Sequence, residues 1–600
     1  MKQSATATPW GNNETIHQGN ALGKQRQNNQ GNTVAKKIQK RNAPVARPSR
    51  TVAATAEPID WNRWAIWVPV ILAFLMFATG LNNAMTGIDD HASTTDNPVV
   101  TNFSLTSVFN HFNLGMYAPL TWIGYAFAYM LGKENALTYH LLSLLVHTFN
   151  TWLVYRLLVK LEVRQSLILP IAILFAIHPI QVESVAWIAG FSTPLYSMFS
   201  LLAFTFYLDY AADRPARYRS YALALGMFVL ACLAKSAAVT VPLTLIILDW
   251  WKKPQRLTRI QQWGAYVPFF LIALGFGLLT IYSREQAGTI VGTNVNGYTA
   301  LERVLLVCYA PLFYIWKMLV PLKLNVYYSF DKIDGQLPWQ YFASPVVVAA
   351  LAWAAWRYRS VAPYLAIGLL FFISNIAVAL PFATLGTFEL CADHYNYIAC
   401  IGIFFILAEG LQALQQRYPG NAGALKTIAY IWFAAVFVLC FRQIRIWKDS
   451  ITVISNAIDN GYYHQGMMFL GRGVAYGDIG RPQEAIQDFT RAIEIDPNKR
   501  DAYKFRGSLY AQAGELDLAL ADLLKYVTLD TADAVSWNNI AMIYMRKNQL
   551  PQALEAFNQT IAIKPDAAIS YQNRAKIHEM MGNTQLMQAD LARARQLAGK

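Results

Sequence analysis

The sequence predicts an all-α protein in two parts: a polytopic membrane domain followed by a solenoid of helical hairpins. Three observations carry this. Charged residues make up only 14% of the 600, against about 25% in a soluble globular domain. The deficit is confined to residues 64–441, where apolar runs of near-spanning length follow one another. From Tyr462 to Lys600 the composition is that of a soluble helical protein, and one pattern recurs four times.

Residues 1–63 come first. They carry Lys2, Lys24, Arg26, Lys36, Lys37, Lys40, Arg41, Arg47 and Arg50, a large part of the formal charge of +14. The segment is rich in Gln, Asn, Thr and Ala and reads as a disordered basic tail. Lysines and arginines before a first span mark a cytoplasmic N-terminus, and a charge gathered there does not point to a nucleic-acid partner. Contact with anionic lipid is a second expectation. No small-residue cleavage site follows Leu81, so the first apolar run is expected to stay as an anchor.

A span needs about 20 mostly apolar residues. Runs at 64–82, 137–159, 167–188, 193–211, 219–234, 237–251, 264–283, 344–357, 361–380, 395–413 and 427–443 meet or approach this. The stretch 301–322 is broken by Pro311, Lys317 and Pro321. Counting it as interfacial or re-entrant keeps Arg357, Arg359, Arg417 and Lys426 on the cytoplasmic side, with Lys160, Arg164, Lys252 and Lys253. The membrane domain is then 64–443 with about eleven spans, and 444–600 lies outside. For a Gram-negative bacterium this means a multi-pass inner-membrane protein with a periplasmic C-terminal domain. The five cysteines, Cys232, Cys308, Cys391, Cys400 and Cys440, lack metal-site spacing and read as small buried apolar residues.

The C-terminal blocks begin near Gly466, Arg500, Ala534 and Ala568, at the tetratricopeptide-repeat (TPR) period of 34 residues. Phe469, Tyr503, Trp537 and Tyr571 share one position; Gly473, Gly507, Ala541 and Ala575 another; Tyr476, Tyr510, Tyr544 and His578 a third. Small residues let paired helices approach, and large ones fill the gap to the next unit. Such units bury their apolar faces only by stacking. Binding of a protein or peptide is expected of them more than mere bracing.

Chemistry is expected at one end of the spans. The loop after the first span holds Asp89, Asp90, His91 and Thr95-Asp96-Asn97-Pro98. Segments 103–112 and 116–131 read as amphipathic helices at the membrane surface. Further along stand His178, Glu183, Lys235, Arg284, Asp393 and His394. Charges at membrane depth default to function, and on the expected topology all of these face the outer side. A structural ion pair, for example Glu183 with Lys235, is the plainer reading.

The order of motifs resembles the GT-C membrane glycosyltransferases, in particular bacterial relatives of the transmembrane and TPR-containing protein O-mannosyltransferases. The resemblance runs from about Trp64 to Lys600. It rests on Asp89-Asp90 with Thr95-Asp96-Asn97-Pro98, Tyr117-Ala118-Pro119-Leu120-Thr121-Trp122, Tyr139-His140 through His147, His178-Pro179, Glu183-Ser184-Val185-Ala186-Trp187, Leu233-Ala234-Lys235, Ala392-Asp393-His394-Tyr395 and the repeats. It implies a GT-C-type domain, a polyprenyl-phosphate-linked sugar as donor, an acceptor on the outer side and inversion at the anomeric carbon. The family's acidic pair falls on Asp89 and Asp90. Its usual arginine in the last motif is His394 here, a weaker anion partner.

Either Asp89 or Asp90 is then the expected base for a serine or threonine hydroxyl. Lys235, Arg284 and His394 are expected at the donor phosphate. Glu183, His178 and Asp393 are expected to position the acceptor or sugar. No cofactor or metal is expected, and no nucleic acid. The partners are membrane lipid, the lipid-linked donor and an acceptor protein or peptide held by the TPRs. Two other readings stand beside this one. The first is a transferase acting on a lipid or polysaccharide; the second is a non-catalytic TPR membrane scaffold.

Overall fold

The computed structural model describes residues 64–598 except 114, 213–216, 253–257, 288–297, 327, 329–331, 333–334, 381–390 and 462–465. The basic tail 1–63 lies outside the described residues, as do the first three residues of the Phe388–Tyr397 segment.

Among the described residues the chain is helical throughout, with two isolated bridges, Asn113 with Met116 and Tyr328 with Cys391. A first helix, α1 (Trp67–Ala78), leads into a loop holding α2 (Asp90–Ser93), α3 (Pro98–Thr101) and α4 (Leu105–Asn110). Then come α5 (Pro119–Gly132), α6 (Ala136–Lys160), α7 (Gln165–Ile177), α8 (Val182–Ala186), α9 (Ser192–Ala211), α10 (Arg217–Ala234), α11 (Val241–Lys252), α12 (Arg259–Gln286) and α13 (Ala300–Leu319). The membrane part closes with α14 (Trp339–Arg357), α15 (Pro363–Ile376), α16 (Asn396–Arg417) and α17 (Ala422–Ile446).

Helices stand at all eleven expected span positions, but they are not equal. Helices over 136–160, 189–211, 260–286, 393–417 and 419–446 are long and apolar enough to cross a membrane. Gln165–Ile177 and Pro179–Ala186 qualify together as one span bent by 48°. The bend falls at His178-Pro179, where proline lacks the N–H that would continue the ladder. The expected span 237–251 opens with a 3-10 turn, Ser236–Thr240, which leaves α11 only 12 residues long. The surface segment expected over 103–112 is helical only over α4.

The outward faces are lipid-like. Leu271, Leu274 and Leu278 of α12 and Ile428, Ile431 and Val438 of α17 are exposed. In water such rows would be unstable; in hydrocarbon they need no partner. Inside, α15 and α16 meet backbone to backbone. A Cβ on Gly402 would lie 2.3 Å from the Gly368 carbonyl oxygen, and one on Gly368 2.5 Å from that of Gly402. This close crossing of small residues is how membrane helices gain packing without a hydrophobic drive.

Helix α13 is met at both ends by residues that follow it in the chain. Lys332, in the returning segment, pairs with Glu302 in the first turn of α13 at 2.9 Å. At the other end Lys317 Nζ donates to the carbonyls of Leu322 and Lys323. Glu302 and Lys332, 30 residues apart in sequence, therefore lie together.

The repeats begin with an extra helix, α18 (Ser450–Asp459). Four hairpins follow: α19 (Met467–Asp478) with α20 (Pro482–Ile495), α21 (Arg500–Ala513) with α22 (Leu516–Leu529), α23 (Ala534–Arg546) with α24 (Leu550–Ile563), and α25 (Ala568–Met580) with α26 (Thr584–Ala598). The small residue at the shared position has the expected cause: a Cβ on Gly473 would lie 2.6 Å from the Phe489 ring. Helix α18 packs on α19 as the second helix of a preceding unit would, and Arg472 of α19 reaches its Ser455 at 3.1 Å. Val453, Ile454 and Ala457 of α18 share one core with the membrane helices.

A second periodic feature lies in the solenoid. Arg472 forms a two-pronged ion pair with Asp488, Arg506 with Asp522 and Arg574 with Asp590, all at 2.7–2.9 Å and 16 residues apart. The corresponding residues of the third unit are Ile540 and Ala556, both buried.

Candidate functional site

The loop after α1 is built around Asp90, which is 1% exposed. Its Oδ2 accepts from the Thr86 backbone N–H at 2.7 Å and the Thr86 hydroxyl at 2.9 Å. Its Oδ1 accepts from the Ala189 N–H at 2.8 Å, across 99 residues of sequence. Burial pushes the Asp90 carboxyl up to about 7, against the pull of these donors. Both oxygens are thus spent on holding the loop against the Ala189 turn.

Asp89 is the opposite case. It stands in the left-handed region at φ 60° and caps the short helix α2. That conformation costs a non-glycine residue roughly 1 kcal/mol, least for Asp and Asn, and such outliers gather at functional sites. The side chain is exposed, and no hydrogen bond to its carboxylate is found among the described residues. The protein around it raises its carboxyl above the ordinary range by desolvation. It lines a cleft of about 400 Å³ between this loop and the inner helices α19 and α21 of the solenoid. The loop is pinned to the base of the solenoid by Gly87 N–H donating to Ser450 Oγ at 2.7 Å and Ala84 N–H to the Lys448 carbonyl at 2.8 Å.

A second polar group lies behind the loop. Glu183 of α8 is buried and accepts from the His394 ring Nδ1 at 2.7 Å and from the His394 backbone N–H at 3.1 Å. With Nδ1–H donating, the His394 ring is committed to that tautomer while neutral. Lys235 donates to the Thr193 hydroxyl at 2.8 Å and lies 5.8 Å from the Tyr395 ring centroid. Its ammonium acts electrostatically on both Glu183 and His394. Asp393 accepts from the Tyr328 hydroxyl at 3.0 and 3.1 Å, with Lys317 over the same tyrosine ring.

Trp187 joins the two groups. Its Nε1–H donates to the Ile88 carbonyl at 2.8 Å, and its ring centroid lies 6.0 Å from that of His394. The structure therefore brings Asp89, Asp90, Glu183, Lys235, Asp393 and His394 into one region. Arg284 sits half-buried in the last turn of α12, where Tyr282 meets Phe112 of the first loop at 5.8 Å. His178 is different. Its Nε2 bonds the Met318 carbonyl at 2.9 Å and its Nδ1 accepts from Ile180 N–H at 3.1 Å, with the ring buried against Phe404. Both nitrogens are occupied, and the residue brackets the bent span to the C-terminal end of helix α13.

Trp187 and Tyr395 stand inside the sequence motifs, which do not show their roles, and nothing in the local sequence marks Thr193 or Tyr328. The five cysteines are free, and four are buried. Among the described residues, no group of three or more His, Cys, Asp or Glu side chains is placed to hold a metal ion.

Comparison with known proteins now adds to this geometry. The tetratricopeptide-repeat model matches residues 468–499 and again 534–567. A Caenorhabditis elegans protein named protein O-mannosyl-transferase F38B6.6 is 23% identical over 434 residues, 68% of this chain and 60% of that protein. Over two thirds of its length the chain is therefore similar to a protein named protein O-mannosyl-transferase. It also matches Tmtc1 of Drosophila melanogaster at 29% over 135 residues, 22% of this chain and 16% of that protein. For human TMTC3 the match is 29% over 126 residues, 21% of this chain and 14% of the relative. The chain thus spans about three fifths of the first relative and a smaller share of the others. Among solved structures, one titled "Crystal structure of MamA" is 23% identical, covering 25% of this chain and 87% of that one, with a TM-score of 0.24.

Proposed function

We propose that this chain is a membrane glycosyltransferase that moves a sugar from a polyprenyl-phosphate donor to serine or threonine hydroxyls of an exported protein, with inversion. The observation that carries the reading is the division of labour in the acidic pair: Asp90 is consumed in holding the loop, and Asp89 is left exposed in the cleft. A raised carboxyl in such a position suits a general base.

The chemistry balances with protein groups of these kinds. The acceptor hydroxyl oxygen attacks the anomeric carbon from the face opposite the phosphate. Its proton passes to the Asp89 carboxylate, and the bond from the anomeric carbon to the phosphate oxygen breaks with the electron pair leaving on phosphate. No protein acid is needed for that leaving group. Lys235 offsets the charge that develops on it, with Arg284 as a second cation at the mouth. Glu183 keeps His394 oriented, and with Asp393 it shapes the sugar subsite. In this reading the solenoid lies on the same side of the membrane as the loop, outside the cytoplasm, and presents the acceptor. In a Gram-negative cell that is the periplasmic face of the inner membrane.

The test is intact-mass glycoproteomics of exported proteins from wild type, a deletion strain and an Asp89→Asn strain. Loss of one sugar mass from the same serine and threonine sites in both mutants is the expected result. Unchanged protein glycosylation would move the acceptor to a lipid or polysaccharide, and no change there either would leave the scaffold reading.

A further inference from the structure

The cleft beside Asp89 has a chemistry of its own. Its floor is apolar and comes from the solenoid: Met467 and Val474 on α19 and Phe505 on α21, the last 39% exposed. Its charged lining is acidic throughout. Asp478 lies on α19 one turn beyond Val474, at a spacing that keeps both on one helix face. Asp501 lies on α21 one turn before Phe505, with Arg500 no nearer than 3.9 Å and itself held by Asp530 at 2.8 Å, and Asp89 closes the third side. No lysine or arginine lines this cleft among the described residues. Arg472 of the same helix is turned away into its pair with Asp488.

We propose that this cleft binds the acceptor as an extended peptide carrying lysine or arginine beside the serine or threonine that is modified, with Asp478 and Asp501 as the specificity-determining residues. This rests on the transferase reading, because it is Asp89 at the cleft wall that makes the bound segment an acceptor. Charge complementarity decides the occupant. Three carboxylates around an apolar floor repel a phosphate-bearing lipid and attract a cationic side chain with an apolar stem, which covers the floor while its charge meets the rim. Placement adds to this: the floor is the start of the inner face of the solenoid, so a chain lying along the repeats runs toward Asp89.

The experiment uses full-length protein in nanodiscs and two synthetic threonine peptides that differ only in lysine or glutamate flanking the threonine. Binding is read by fluorescence anisotropy at two salt concentrations. Transfer is read separately by mass spectrometry with polyprenyl-phosphate-mannose. The lysine peptide is expected to bind about tenfold tighter at low salt, with the margin shrinking as salt screens it. In D478N/D501N the margin should shrink to what Asp89 alone sustains, and in D478K/D501K it should reverse. Equal binding of both peptides by wild type, or an unchanged margin in both double variants, overturns the proposal. Preferential binding without transfer would sink mannosyl transfer and leave the peptide site standing; transfer indifferent to the flanking charge would do the reverse.

Discussion

The solenoid and the membrane-end site both bury charge, and they do so differently. In the solenoid an Arg–Asp pair is repeated at 472/488, 506/522 and 574/590, and the third unit does without it, using Ile540 and Ala556. At the membrane end each buried charge is singular: Asp90 takes three donors from two loops, Glu183 takes both donors of His394, and Asp393 takes a tyrosine hydroxyl. Buried charge alone therefore does not mark function here. Where a pair can be exchanged for apolar side chains in the next unit, it is structural. The candidate site differs in having unlike groups that converge beside a cleft.

The largest effect is expected at Asp89. Asp89→Asn keeps a side chain that tolerates the left-handed backbone, so folding should be spared, while transfer should fall at least about 100-fold. The acid limb of the wild-type pH–rate profile should lie above the ordinary carboxylate range, because desolvation raises Asp89 and the base must be ionised. Normal turnover by this variant would remove the distinction between Asp89 and Asp90.

Lys235→Met should lower kcat by about tenfold to a hundredfold with a smaller change in acceptor KM, since the cation acts on charge developing at the leaving phosphate. Steady-state kinetics with varied acceptor peptide checks this.

In the solenoid the effects should appear in stability. Arg506→Ala leaves Asp522 buried without its partner and should cost about 2–3 kcal/mol. The double variant Arg506→Ile with Asp522→Ala copies the third unit and should recover most of that loss. Denaturation of the full chain in detergent, followed by tryptophan fluorescence, reads both. A double variant as unstable as the single one would mean that the pairs contribute more than the apolar replacement can.

The smallest expected effect is at Asp90. In Asp90→Asn one amide nitrogen must face an N–H donor of Thr86 or Ala189, costing about 1–2 kcal/mol. The sign of its pH dependence is set by the raised carboxyl. The folded chain holds a proton there that the unfolded chain releases above the ordinary value of 3.8. This contribution is complete at low pH and is lost as pH rises from about 4 to about 7. The stability margin of wild type over Asp90→Asn should narrow across that window, as read by thermal shift at its two ends.

Much of the architecture was legible in order along the chain. Apolar run length located the membrane helices because the hydrocarbon core imposes one length on any span. Repeat phase located all eight solenoid helices, because the same packing problem recurs every 34 residues. The Arg–Asp pairs follow the same periodicity, at a spacing of 16 residues within each unit, but only the folded solenoid shows that they pair. The site residues too could be nominated, since charges among apolar residues are rare enough to stand out. Their roles could not. Asp89 and Asp90 are chemically identical neighbours. Only the packing of residues 86 and 189 against one of them makes that one a structural staple and leaves the other free in the cleft. His178 likewise reads as a functional histidine until Met318, 140 residues away, takes its ring nitrogen. Which elements form and which residues carry charge can be read along the chain, because periodicity and hydropathy are local properties. The tertiary structure alone decided which carboxylate meets solvent, which histidine is spent, and that the first repeat faces Asp89. Each of those turns on a contact between segments about a hundred or more residues apart.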